Sequence, residues 1–440
     1  MFKLSEIASV LRGRLIGPDC DNIGQVTTDS RQARPGQLFF ALKGPNFDGH
    51  DFAIEAFSKT KIGVVVEREI ENIGRQIVVA DTLKALGLLA NYYREKFAPL
   101  VIAITGTNGK TTTKNIIGQI MAKKDKTLMT EGTMNNQVGL PLTLLRLNPD
   151  IRYCVLEIGT NRPGEIENLC KIAEPTVGVL TNIGYGHLAG FASRNELVKE
   201  KLSLINSLPP DGPAVINAKI KGVWTSKRVV TFSLRKNAHY YPRRVTIGED
   251  GSSFSIGKNH YQTNLLSRVN IENIVCAIAT TTELGIEYNL QRKAIGEIMP
   301  EPMRMAPIKI GSYLIINDCY NANPNSMKEA LLFISRLKRR KIAVLGDMLE
   351  LGKASARFHK RVGEYCHKRI DLLIAIGDQA RFYQGISFND RSQAVDYIRQ
   401  ILKPGDAILF KASRAVKMEE IAEPVISYLK RQGENQCSTI

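Results

Sequence analysis

Leu100-Val101-Ile102-Ala103-Ile104-Thr105-Gly106-Thr107-Asn108-Gly109-Lys110-Thr111-Thr112 is the stretch that decides the architecture around it. An apolar run predicts a buried strand, a glycine-bracketed turn follows, and the residues after Lys110 continue as a helix. Strand, loop and helix in that order are the setting of a phosphate-binding loop. Glycines at Gly106 and Gly109 let backbone N–H groups close around phosphate oxygens, and the helix N-terminus adds partial positive charge. Lys110 can reach the outer phosphates of a nucleotide, and the Thr111 hydroxyl can ligate Mg²⁺. The longer pattern G-x-x-x-x-G-K-[ST] would place a glycine where Ile104 stands, so only a shorter G-x-x-G-K-T-T form is matched. A plain turn is the alternative, and the flanking strand and helix weigh against it.

Working outward, further continuous apolar strands are expected at Tyr153 to Ile158, Val177 to Leu180 and Ala214 to Ile216. Unbroken rather than alternating apolar runs belong to sheets covered on both faces, as in α/β folds. Residues 227–265 alternate more and predict a few antiparallel strands, followed by a helix from about Asn270 to Leu284. On the N-terminal side, short strands (Gln37 to Leu42, Gly63 to Val66, Gln76 to Val79) mix with helices, the last being Thr82 to Phe97, which Pro99 stops. On the C-terminal side, Tyr313 to Ile316, Ile342 to Leu345, Leu372 to Ile376 and Ala407 to Phe410 predict a second α/β unit. The chain is therefore expected to form three α/β domains. They are a small mixed domain over 1–98, a central P-loop-type mononucleotide-binding domain over 99–301 and a Rossmann-like domain over 302–440. A frayed tail is expected from Glu434 onward.

Composition narrows the class. The chain has 440 residues, 43% hydrophobic and 23% charged, which excludes wholesale disorder. No stretch approaches the ~18 apolar residues of a membrane span, and the N-terminus lacks the apolar core of a signal peptide. The seven cysteines form no C-x-x-C pair and fit no zinc site, so a reducing cytoplasm is expected. Cys154 and Cys319 fall in apolar runs and are expected to be buried small hydrophobes. Lys and Arg number 60 against 43 Asp and Glu, a net charge of +17. The basic residues are dispersed. The densest cluster, Lys338-Arg339-Arg340-Lys341, precedes a strand, where cations are favoured by a helix dipole. A phosphorylated substrate would suit this charge as well as nucleic acid would.

Ligands of open α/β sheets sit beyond the carboxyl ends of strands. Tyr153-Cys154-Val155-Leu156 runs into Glu157, and an acid there is costly unless paired or metal-bound. Near Thr111 it is a candidate metal ligand; a cap for the following helix is the alternative. Val177 to Leu180 leads into Thr181-Asn182-Ile183-Gly184-Tyr185-Gly186-His187, and His187 is a second candidate, against an ordinary surface histidine.

Together these residues resemble the Mur ligase family, ATP-dependent enzymes that add amino acids to the peptidoglycan precursor. Gly106 to Thr112 matches the family's GTNGKTT. The resemblance is nearest to the branch that joins D-alanyl-D-alanine to UDP-N-acetylmuramoyl-tripeptide. It is carried by the strings Asn135 to Thr143, Leu156 to Ile166, Asp318 to Met327 and Leu345 to Gly352, with Asp29-Ser30-Arg31 and Phe47 to His50 near the start. It implies ATP binding by Gly106, Thr107, Asn108, Gly109, Lys110, Thr111 and Thr112, with Asn270, Asn273, Arg304 and Asp318. It implies two Mg²⁺ ions held by Thr111, Glu157, His187 and Lys201, the last as a carbamylated lysine, with Lys199 its rival and an exposed helix lysine the plain alternative. Catalysis falls to Lys110, Glu157, His187 and Lys201, and substrate binding to Thr28, Asp29, Ser30, Arg31, Asn135 and Asn136. The chain departs from the family pattern at Ala189 (usually Glu), Glu200 (usually Ala), Leu202-Ser203 (usually Gly-Glu), Ser267 (usually Gly), Val269 (usually His) and Ala412 (usually Gly).

The activity so implied transfers the γ-phosphoryl of ATP to a carboxylate and lets an amine attack the acyl phosphate. Domain closure about Phe97 to Pro99 and Pro300 to Pro302 would exclude water. A monomer is expected, without nucleic acid and without membrane insertion. The rivals are another Mur-type or a folylpolyglutamate-type ligase, a nucleotide-dependent nucleic-acid binder and a non-catalytic homologue.

Overall fold

The structure, a computed structural model, describes residues 2–21, 23–184, 190–220 and 228–437. It contains three large sheets and one small one. The first sheet has five strands in the order Arg14–Ile16, Gln76–Val78, Gly63–Val66, Gln37–Phe40, Gln25–Thr27. All neighbours are parallel except Arg14–Ile16, which runs against Gln76–Val78. The helix Thr82–Phe97 starts where the Asp81 carboxylate accepts the Lys84 N–H, and ends at a left-handed Ala98 before Pro99. Its buried face (Leu86, Leu89, Ala90, Tyr93) packs on the helices Gly139–Leu144 and Glu165–Ala173. One continuous hydrophobic core therefore joins the first sheet to the second.

The second sheet has six strands in the order Val229–Phe232, Ala214–Asn217, Val177–Leu180, Leu100–Thr105, Tyr153–Glu157, Thr127–Met129. Every pair is parallel. The inner strands are buried along nearly their whole length, as their unbroken apolar runs require. Helices Lys110–Ala122 and Ser267–Glu283 share a core with one face of the sheet. The parallel order sets the carboxyl ends of Leu100–Thr105, Tyr153–Glu157 and Val177–Leu180 side by side. Val229–Phe232 is not one of the antiparallel strands predicted for residues 227–265; it joins this sheet in parallel. As an edge strand its residues alternate between half-buried and buried, and that pattern looks the same in either sheet type. The antiparallel strands are Arg243–Ile247, Ser252–Ile256 and Asn259–Thr263.

The third sheet has six strands in the order Ala306–Ile310, Tyr313–Asn317, Ala407–Lys411, Lys341–Gly346, Leu372–Ile376, Ile386–Phe388. Only its first pair is antiparallel. The last helix runs from Glu419 to Cys437, so the backbone expected to fray from Glu434 is helical that far. No helix among the described residues is long and apolar enough to cross a membrane. Cys154 and Cys319 are buried as expected, and burial pushes both thiols up to about 12.

The basic cluster does not present a free face. Arg339 forks onto both carboxylate oxygens of Glu249 at 2.7 Å and donates to the Ser312 and Gly405 carbonyls. Lys341 pairs with Asp371 at 3.2 Å. Arg339 thus fastens the third sheet to the loop between Arg243–Ile247 and Ser252–Ile256. Hydrogen bonds to charged groups each contribute about 1.5–3 kcal/mol. Arg339→Ala should therefore lower the unfolding free energy by about 2 kcal/mol in chemical denaturation, and Glu249→Gln by clearly less, because the two carbonyl contacts survive. Equal losses would show that those carbonyls contribute nothing.

Candidate active site

The site begins with the phosphate loop, whose shape is fixed from beside it. Gly106 has φ +149°, and a Cβ there would lie 1.9 Å from the Thr181 hydroxyl oxygen. Gly109 has φ +80°, and a Cβ there would meet the Asn273 amide oxygen at 2.4 Å. The end of strand Val177–Leu180 straps the loop down. Asn108 N–H donates to the Asn182 side chain (3.0 Å), and the Asn108 carbonyl accepts from Thr181 Oγ1 (2.7 Å) and Asn182 Nδ2 (2.8 Å). The helix Lys110–Ala122 starts directly behind, so its dipole is aimed into the cleft.

Four ionisable groups lie in or beside this cradle. Lys110 folds back to donate to the Gly106 carbonyl at 3.0 Å. Desolvation holds its ammonium below the ordinary lysine range, with Glu157 pulling it back up. Glu157 is 3% exposed. Its Oε1 accepts from Asn135 Nδ2 at 2.8 Å, and its Oε2 is buried without a hydrogen-bond partner. It does not cap the following helix; Glu200 does, accepting the Ile166 N–H. Lys201 is 1% exposed, not the surface lysine that its helix position allowed. Burial lowers it to about 7, and the nearby Lys110 charge pushes the same way. Lys199 is exposed and is not among the residues lining the cleft. Lys114, one helical turn beyond Lys110, is buried and donates to the Thr130 carbonyl at 2.5 Å, while Thr130 Oγ1 accepts the Glu157 N–H at 3.0 Å.

Glu200, where the family pattern has Ala, carries out a local structural task. Its carboxylate accepts from Thr160 Oγ1 (3.1 Å), Gly164 N–H (2.7 Å) and Ile166 N–H (2.8 Å), satisfying the start of helix Glu165–Ala173. The departure is compatible with an intact site.

The third sheet supplies the opposite wall. Arg304 Nη2 donates to Thr111 Oγ1 at 3.0 Å, and its guanidinium stacks 3.6 Å from the Tyr320 ring centroid. Asn323 Nδ2 donates to the Asn108 side chain at 2.7 Å. Asp318 pairs with Lys411 at 2.6 Å. The cavity between these walls is about 1200 Å³ and is lined from all three blocks, the first contributing Leu83. Most of the residues expected from the sequence meet there: Thr107 to Thr112, Asn135, Asn136, Glu157, Lys201, Asn270, Asn273, Arg304 and Asp318. Gly106 precedes Thr107 in the loop and does not itself line the cavity. Asn136 also caps helix Gly139–Leu144, accepting from Val138 and Gly139 N–H. Thr28, Asp29, Ser30 and Arg31 do not line the cavity. They sit at the end of strand Gln25–Thr27, with Arg31 held by Asp29 at 2.8 Å. His187 lies outside the described residues, as does Ala189.

Sequence reasoning gave no role to Asn182, Thr130, Lys114 or Lys411. Lys411 alone carried a legible signal, a charge ending the apolar strand Ala407–Lys411. Among the described residues no group of three His, Cys, Asp or Glu side chains converges. A cation would be met by the free Glu157 oxygen, the Thr111 hydroxyl and the phosphates it accompanies. Among the described residues this donor set is oxygen, which suits a hard divalent cation, and the buried Oε2 is an acceptor that lacks a donor.

Comparison with known proteins agrees with this geometry. Family models match three segments: "Mur ligase family, catalytic domain" over 22–94, "Mur ligase middle domain" over 104–281 and "Mur ligase, glutamate ligase domain" over 303–414. A UDP-N-acetylmuramoyl-tripeptide–D-alanyl-D-alanine ligase of Bacillus subtilis is 34% identical, covering 96% of this chain and 98% of the relative. The chain belongs to the Mur ligase family. The ligase of the same name from Escherichia coli is 32% identical over 95% of this chain and 97% of its own. A crystal structure of MurF from Acinetobacter baumannii superposes with TM-score 0.89 at 29% identity, covering 96% of this chain and 98% of that one. The Thermotoga maritima MurF ligase in complex with ADP gives 0.88 at 28% identity, covering 93% and 99%. Mur ligases are ATP-dependent and form amide bonds, and the expected three-domain α/β architecture is the family's own.

Burial of Lys201 has a measurable consequence in this Mur ligase. Its folded value near 7 lies below the ordinary lysine value of 10.5. Between those values the unfolded chain binds a proton that the folded chain does not. The penalty is therefore absent above pH 10.5, grows as pH falls, and is complete below about pH 7. In carbonate-free buffer Lys201→Met should raise the unfolding temperature at about pH 7, with the gain shrinking toward about pH 10. A gain independent of pH would refute the buried-amine picture.

Proposed function

We propose that this chain joins D-alanyl-D-alanine to the terminal carboxylate of UDP-N-acetylmuramoyl-tripeptide, converting ATP to ADP and phosphate, in cytoplasmic synthesis of the peptidoglycan precursor. The observation that carries the proposal is the buried, half-satisfied Glu157 beside a rigid phosphate loop, in a cleft that three blocks share. Relatives of that name, similar over nearly their whole length, support the substrate pair. The domains are taken as 1–98, 99–301 and 302–440, in keeping with one large sheet in each. The chain is taken to act as a monomer.

Two anions, a carboxylate and a triphosphate, must approach each other. Lys110 and Arg304 place positive charge at that meeting point, and the loop N–H groups and helix dipole add to it without reorganising. Thr111, Glu157 and His187 would hold Mg²⁺, with Lys201 as a carbamate for a second ion; when bound, Mg²⁺ supplies charge neutralisation at the phosphates. Burial leaves a large share of the Lys201 amine neutral near pH 7. A neutral amine can add CO₂ and shed one proton, which gives the carbamate. Asn270 and Asn273 would meet the adenosine side, Asn273 lying next to Gly109. Thr28 to Arg31 would meet the UDP-sugar, where the Arg31 side chain is 84% exposed; Asn135 and Asn136 would face the peptide. The γ-phosphoryl passes to the carboxylate, leaving ADP. The D-alanyl-D-alanine amine then attacks the acyl carbon, and phosphate departs from the tetrahedral intermediate as the amine proton goes to solvent. Closure of the three domains protects the acyl phosphate from water.

Phosphate release from ATP in the presence of UDP-muramoyl-tripeptide should require D-alanyl-D-alanine, and Lys110→Ala should reduce it by about 10³-fold or more. ATP turnover indifferent to the dipeptide, or stimulated instead by DNA or RNA, would refute the assignment.

A further inference from the structure

We propose that Lys411 is a positioning residue for phosphoryl transfer, acting through Asp318 to aim Arg304 at the phosphate loop. Lys411 closes the strand Ala407–Lys411, whose other four residues are apolar, and it is 2% exposed. An ammonium buried at the centre of a sheet persists only when it is fully paired. Its Nζ donates to Asp318 Oδ2 at 2.6 Å and to the Asn321 carbonyl at 2.9 Å. The other Asp318 oxygen accepts the Met305 N–H at 3.0 Å. Asp318 is itself anchored, its N–H donating to the Phe410 carbonyl at 2.9 Å.

What this carboxylate holds is a strained turn. Met303 and Met305 both adopt left-handed backbone conformations, with φ of +61° and +51°, and they flank Arg304. Non-glycine residues persist there only when surrounding contacts over-determine them. Met305 is fixed by Asp318, and the Met303 carbonyl accepts the Tyr320 N–H at 3.0 Å. So held, the turn projects Arg304 across the Tyr320 ring to the Thr111 hydroxyl. The chain of contacts runs from the centre of the third sheet to the first turn of the phosphate-loop helix. Both Asp318 oxygens are engaged within it, so Asp318 also serves as a bracket for the turn. Lys411 makes no contact with Arg304; its effect passes through the carboxylate.

The inference rests on the ATP-dependent function proposed above, and its test separates the two. Turnover by the unsubstituted chain tests the function alone. With turnover established, Lys411→Met and Arg304→Ala should each lower kcat/KM for ATP by about a hundredfold, and the double variant should be no more than about threefold worse than either. Independent effects that multiply would overturn the proposal, because Lys411 would then act on nucleotide or substrate directly. Should Lys411→Met fail to fold, the charge-neutral pair decides. Asp318→Asn retains an acceptor for Met305, so adding Lys411→Met to it should cost nothing further or restore activity. A further loss of about tenfold would refute the linkage. If the unsubstituted chain does not turn over, the same cycles read on magnesium-dependent ATP affinity still decide the role of Lys411.

Discussion

The absence of a side chain at Gly106 is the constraint on which the site depends. The Thr181 hydroxyl occupies the place a Cβ would take, so the ends of strands Leu100–Thr105 and Val177–Leu180 approach each other with only a hydrogen atom between them. That approach lets Thr181 and Asn182 grip Asn108 from both its N–H and its carbonyl. The loop is consequently shaped before any anion arrives. Donors already in position need no rearrangement when charge develops, and this is where preorganised sites gain most over water. The parallel sheet order does the rest, because it sets Glu157 and the Thr181–Asn182 corner on either side of the loop.

Around that cradle the burial of charge has a consequence for binding. Lys110, Lys114 and Lys201 are all shifted downward by desolvation; Glu157 and Glu350 oppose this for Lys110, Glu157, Glu301 and Glu131 for Lys114, and Glu200 for Lys201. Desolvation is still the largest influence on each of the three, so these carboxylates offset it only in part. An anion brought beside these amines would favour their charged forms, which works in favour of binding phosphates. The third block reaches the loop with the donors Arg304 and Asn323, and its Glu350 charge also acts on Lys110.

The sequence displays this arrangement unevenly, for physical reasons. Leu100 to Thr112 and the acid closing Tyr153–Glu157 are legible because a polar residue at the end of a buried strand is costly unless a ligand or a counter-charge meets it. Lys411 closes Ala407–Lys411 in the same way, yet its partner Asp318 is 93 residues earlier in the chain, and no local pattern links them. Glu200 departs from the family pattern and is a helix cap whose donors lie in a loop 34 to 40 positions away. Val229–Phe232 cannot be assigned to the correct sheet from its pattern, because an edge strand of either kind alternates. The Lys338 to Lys341 cluster suggests a helix-end effect, whereas Arg339 is fixed by Glu249 from 90 residues upstream. Local propensity, turns and apolar periodicity are written in order along the chain; long-range pairing of charges is not.

The excess of 17 positive charges is likewise resolved by location. Several of the most clustered cations are consumed by the fold: Arg339, Arg340 and Lys341 all bond to carboxylates or carbonyls. Cations nevertheless outnumber acids nine to five among the described residues lining the cleft. A concave, low-dielectric cavity concentrates the field of such groups, whereas an exposed surface of the same charge is screened within about a Debye length. The part of the charge that bears on function is therefore the part turned inward. A triphosphate and a carboxylate brought together in that cleft would need that field, whereas a nucleic acid would need an outer basic face that Arg339 and its neighbours do not provide.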